Sequence, residues 1–152
     1  MTTHDPEAEL FVAPAQLAAL SDTPQCIRNA ATRFEQQPYG VGGFLAQSSE
    51  EDLTALYDLG IAAQTNDQAR ITLVLFTVML LNGEGIAVRI SEELTQYARR
   101  LLLMVQMELM SRYGMVKMDH SALTLEKPFD PTEVELTEKG KQIYGSIKVK
   151  KV

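Results

Sequence analysis

Residues 71–81, ITLVLFTVMLL, carry no charge and only two hydroxyl groups, and polar sequence flanks them on both sides. A helix needs about 20 apolar residues to cross a bilayer, so eleven of them describe a buried core element. The rest of the chain must cover that rod. Its β-branched Ile71, Thr72, Val74, Thr77 and Val78, with Phe76, favour a strand. Its leucines, Met79, the capping residues Thr65, Asn66 and Asp67 just before it, and a length beyond most strands favour a helix. A helix is expected, ended by Asn82-Gly83-Glu84-Gly85.

At 152 residues and 45% hydrophobic, the chain fits one domain with a core large enough to fold unaided. The expected organisation is a flexible acidic arm over 1–12, a globular domain over 13–147 and a frayed basic tail over 148–152. A hinge is expected at PYGVGG, residues 38–43. Cys26 is the only cysteine, which excludes an internal disulfide, and MTTHDPEAEL lacks the features of a signal peptide, so a cytoplasmic location is expected. The net charge of -6 arises before residue 53, and the rest of the chain balances. An acidic chain lacks the broad positive field that supplies most non-specific nucleic-acid affinity, so any such contact must be local.

The expected fold class is α+β, mostly helical, with about five helices around the rod, a C-terminal β-hairpin and a trailing helix. Pro14 opens a short helix, and a second runs over about 24–36 with Ile27, Ala30, Ala31 and Phe34 on one stripe. Ser49-Glu50-Glu51-Asp52 opens a third with a capping hydroxyl and three acids. Gly60 inside it marks a stop or a close helix crossing. After a short strand at 86–90, the longest helix runs over 91–113. Leu94, Tyr97, Ala98, Leu101, Leu102, Met104, Val105, Leu109 and Tyr113 take one half of its cylinder and pack on the rod. From Met115 the period changes: 115–118 and 123–125 read as strand, PFDP as a turn and 132–136 as the return strand. Thr137 caps the last helix.

Three pieces of this C-terminal stretch go together: Gly114-Met115-Val116 closing a helix into a strand, the hairpin, and ELTEKGK at 135–141 opening the final helix. Over about 112–147 the chain resembles winged-helix proteins of the MarR and PadR type. The resemblance implies that the glycine ends a recognition helix, that the hairpin is a wing, and that Leu136 and Thr137 join wing to C-terminal helix. Two departures separate the chain from that pattern. No glycine, proline or other turn signal divides 94–113, as a helix-turn-helix requires. The run RRLLLMVQMELM also puts leucines and methionines where a groove-reading helix carries polar side chains.

Leu103, Met107 and Met110 fall almost opposite the core side of the long helix, between Arg99, Arg100 and Gln106. Methionines suit adaptable binding surfaces, and the flanking arginines suit an acidic partner or a second copy. The alternative is that the N-terminal helices reach back and cover this face. Arg112, Lys117 and Lys127 are candidate nucleic-acid contacts, set against ordinary solvated ion pairs such as Glu108 with Arg112. No catalytic, cofactor or metal site is expected, and nothing indicates a small molecule or a membrane. Asp119-His120 is the only pair suggesting acid-base work, neither glycine cluster has a phosphate-loop context, and Cys26 reads as packing. The leading expectation is a non-enzymatic, cytoplasmic protein-interaction subunit forming a homo-oligomer. The alternatives are a winged-helix transcriptional regulator that binds DNA, and a small phage or bacterial accessory protein without a winged helix.

Overall fold

A computed structural model describes residues 10–20, 22–88, 93–117, 123–125 and 135–143. In chain order the elements are α1 (Pro14–Ala19), α2 (Gln25–Gln36), α3 (Val41–Gln47), α4 (Glu50–Ala62), α5 (Asp67–Gly83), α6 (Glu93–Arg112), β1 (Val116–Lys117) and β2 (Glu135–Leu136). Residues 138–143 are helical again, as α7. The class is mostly helical α+β, with β1 and β2 forming an antiparallel pair. No helix among the described residues is long and apolar enough to cross a membrane.

The apolar rod is helix α5. Asn66 caps it, its Oδ1 accepting from the Ala69 amide at 3.1 Å. The two threonines are buried, and each satisfies its hydroxyl on the carbonyl one turn back: Thr72 to Gln68 at 3.0 Å and Thr77 to Leu73 at 2.7 Å. That local bonding lets a β-branched, hydroxyl-bearing run remain helical inside a core. The end is a Schellman turn, with Gly85 N–H bonded to Asn82 at 3.0 Å and Ile86 N–H to Leu81 at 3.1 Å. Burial is uneven along the rod. Phe76 and Val78 to Leu81 are inaccessible, whereas Ile71 is 55% exposed on the outer side of the first turns, whose Ala69, Thr72 and Leu73 are buried.

Around this rod, α6 packs on α4 and α5, α2 packs on α1 and α4, and α1 also reaches α5. The short α3 is locked to α5 by an edge-to-face pair of Phe44 and Phe76, 5.1 Å between centroids. Gly60 does not stop α4. It marks a close crossing, since a Cβ there would lie 2.5 Å from Leu102 Cδ1 on α6.

Several expectations are corrected. The stretch 38–43 is a fastened corner: Gly42 and Gly43 lie inside α3, and Tyr39 is buried with its hydroxyl donating to the Ala30 carbonyl at 2.6 Å. The Tyr39 carbonyl sits 1.9 Å from where a Cβ on Gly83 would be, so only glycine admits this approach. The arm expected over 1–12 is already docked from Leu10. Leu10 N–H bonds Val88 O at 2.6 Å, and the Asn82 side chain bridges Leu10 O and Val12 N, both at 3.1 Å. Residues 1–9, like the tail at 148–152, lie outside the described residues. The expected strand at 86–90 is not one over 86–88, and its remainder is outside the description. Residues 123–125 are not strand either, because their polar groups turn to side chains of other elements. The return strand is described only at 135–136.

Candidate functional site

Helix α6 is continuous over Glu93–Arg112, with no turn between 94 and 112. Its C-terminal end is fixed by chemistry visible in the sequence. Gly114 adopts φ +80°, a conformation costly for residues with a Cβ. Its N–H bonds Ser111 O at 2.9 Å, and that of Met115 bonds Met110 O at 3.0 Å. The chain then enters β1, which pairs antiparallel with β2 in the register Val116 with Leu136 and Lys117 with Glu135. Thr137 ties the strand pair to both helices: its hydroxyl donates to Gly114 O and accepts from Gly140 N–H at 3.1 Å, capping α7. Gly140 is buried against this joint, where a Cβ would lie 2.0 Å from Met115 O.

On α6 the side chains divide as helical spacing requires. Ala98, Leu101, Met104 and Val105 are buried in the core, and Leu94, Tyr97, Leu102 and Leu109 pack against it. Tyr113, expected on this side, is 53% exposed because the helix has ended and its hydroxyl reaches out to Glu50 Oε1 at 2.7 Å. On the far side Leu103, Met107 and Met110 are half-buried and outside the core cluster, with Arg99 and Gln106 exposed beside them. The helices α1 and α2 are engaged chiefly with each other, α4 and α5.

The remaining candidates are placed differently. Arg100 turns away from the methionine face. Its guanidinium lies over the Tyr97 ring at 5.3 Å and donates to Leu125 O at 3.0 Å. Arg112 donates to Glu108 Oε1 at 3.0 Å and to Leu45 O at 2.8 Å, bridging α6 to α3. The Glu108 with Arg112 pair expected at the surface is therefore an inner one, with Glu108 only 3% exposed. Lys117 faces Glu135 across the strands at 3.8 Å. Lys127, Asp119, His120 and His4 lie outside the described residues. Cys26 is buried, and burial, with the Asp52 carboxylate adding to it, pushes its thiol up to about 11. It stays protonated at neutral pH and is a poor nucleophile. Among the described residues no three histidine, cysteine, aspartate or glutamate side chains are grouped to hold a metal.

Sequence reasoning assigned no role to Glu84, expected only as part of a turn. Its carboxylate accepts from Val41 N–H at 3.1 Å at the start of α3, from Leu125 N–H at 3.0 Å and from the Thr124 hydroxyl. It supplies the cap that Gly40 cannot, and it anchors the segment leading out of the hairpin region. A lone acid between two glycines gives no sign of partners about forty residues away on either side. No protein-family model, curated protein or solved structure matches this chain.

Proposed function

We propose that this chain is a non-catalytic protein-interaction subunit that self-associates through the outward face of α6, with a winged-helix-like C-terminal half. The observation that carries the reading is the stripe of Leu103, Met107 and Met110, half-buried beside exposed Arg99 on an unbroken helix whose opposite side is already filled by the core. Long flexible methionines pack against a second surface with little strain. The winged-helix part of the reading is supported by the glycine-ended α6, the strand pair and the Thr137 joint to α7.

A protein partner is favoured over DNA by where the basic groups point. Arg100 and Arg112 are spent on backbone carbonyls within the molecule, and Lys117 faces an acid. Phosphate contacts need cations presented outward together. Light scattering on the wild type and on Met107→Asp tests the proposal: a dimer in the first and a monomer in the second is the expected result. A monomeric wild type across the accessible concentration range removes it. A gel shift with random duplex at low salt serves as the counter-test, and a clear shift there restores the regulator.

A further inference from the structure

A groove of about 420 Å³ opens between α4, α5 and α6, and it shares Arg99 with the border of the methionine stripe. Its floor is aliphatic: Ala63, Leu73, Val74, Ala98 and Leu102, with no aromatic ring among the lining residues. Its end is shaped by Gly60, whose missing side chain leaves Leu102 room to lie against α4. The polar groups at its edge are Gln64, Thr95, Arg70 and Arg99, and no carboxylate is among the described lining residues. In a chain of net charge -6 this is a local positive mouth over an apolar floor.

The two arginines are held differently. Arg70 is fixed at the end of α4, donating from Nε to Ala63 O at 3.1 Å and from Nη2 to Gln64 O at 3.4 Å. Its charge is partly offset by Asp67 at 2.9 Å. Arg99 is exposed and forms no ion pair among the described residues. Among the described residues, the mouth thus carries one paired arginine, Arg70, and one arginine without an ion pair, Arg99. Pockets of about 300–1,000 Å³ with an apolar lining and a few polar groups are typical of small-molecule sites, and this groove lies toward the small end.

We propose that the groove binds a monoanion with an unbranched aliphatic body, a short- or medium-chain carboxylate, with the alkyl chain on Leu73, Val74 and Leu102 and the carboxylate at Arg99. An apolar floor without rings gives an aromatic ligand nothing to stack on. One arginine without an ion pair among the described residues matches a carboxylate better than a dianionic phosphate ester. Arg99 also borders the proposed self-association face, so the test includes a variant of that face that leaves the groove lining intact.

Calorimetric titration with octanoate, octan-1-ol and benzoate tests this, using the wild type, Arg99→Glu and Thr95→Trp. Residues 95 and 99 are exposed, so both variants are expected to keep the wild-type far-UV circular dichroism. Expected are saturable one-to-one binding of octanoate, at least about tenfold weaker binding of octan-1-ol and benzoate, a loss of about tenfold or more in Arg99→Glu, and no binding in Thr95→Trp, whose ring fills the mouth. Wild type that shows no saturable octanoate binding overturns the proposal. So does an affinity unchanged in both variants, or benzoate bound as tightly as octanoate. Met107→Asp is expected to bind octanoate like the wild type, so loss of the dimer and loss of the groove are separately visible.

Discussion

Met104 and Met107 are three residues apart on the same helix, yet Met104 is 1% exposed within the core and Met107 is half-buried outside it. The two sides of α6 share apolar residue types but differ in what surrounds them. The inner side is closed by α4 and α5 and even carries a carboxylate, Glu108, because Arg112 reaches it with a hydrogen bond. Among the described residues, the outer side carries no such internal pairing at Leu103, Met107 and Met110, and it is bordered by exposed Arg99. Apolar content therefore does not separate the core face of α6 from its outward face. What separates them is whether the polar groups beside the apolar ones already have partners within the chain.

That comparison breaks most readily on the inner side. Leu101 is wholly buried, and truncating it removes its methyl groups and leaves a cavity, so Leu101→Ala is expected to cost about 4 kcal/mol in urea unfolding. A loss below about 1 kcal/mol would show that α6 is not a core helix on this side. Glu108→Ala leaves Arg112 without its carboxylate at the α3 contact. About 3 kcal/mol is expected, toward the low end for a broken buried pair because the Arg112 side chain is 26% exposed and can turn to water. If Glu108→Ala proves neutral, the pair is no part of what fixes α6 to α3. Thr137→Ala removes the α7 cap and the bond to Gly114, for about 1 kcal/mol, read as a small fall in the urea midpoint.

The helices were legible in the sequence wherever the signal was local. Asn66 and Ser49 cap α5 and α4 as their positions imply, and Gly114 ends α6 through a left-handed turn that only its residue type makes cheap. The corner at 38–43 misled because glycines that admit a close approach look, in sequence, like glycines that free the chain. Tyr39 over Gly83 is a contact between residues 44 apart and has no local signature. Glu108 was read as a surface acid for a similar reason: spacing pairs it with Arg112 but cannot say that Leu45 on α3 lies behind. Of the candidate surface, the helical period placed Leu103, Met107 and Met110 together. It also grouped Arg100 with them, because the pull of Leu125 O on that guanidinium is tertiary.

The smallest expected change in the stability of the monomer is the one that sharpens the contrast most. Met107→Asp places a charge on the outer side, and a half-buried position there can hydrate it, so the dilute protein is expected to lose about 1 kcal/mol or less. Association adds to stability by mass action, so the wild-type Tm is expected to rise with protein concentration, by an amount corresponding to about 1.4 kcal/mol per mole of dimer for each tenfold step. In Met107→Asp that rise is expected to disappear while the dilute-limit Tm stays close to the wild type. A large fall in the dilute limit instead places Met107 inside the monomer core, and the two sides of α6 are then both structural. A concentration-dependent Tm retained by Met107→Asp moves the contact elsewhere on the molecule and leaves the stripe without a partner.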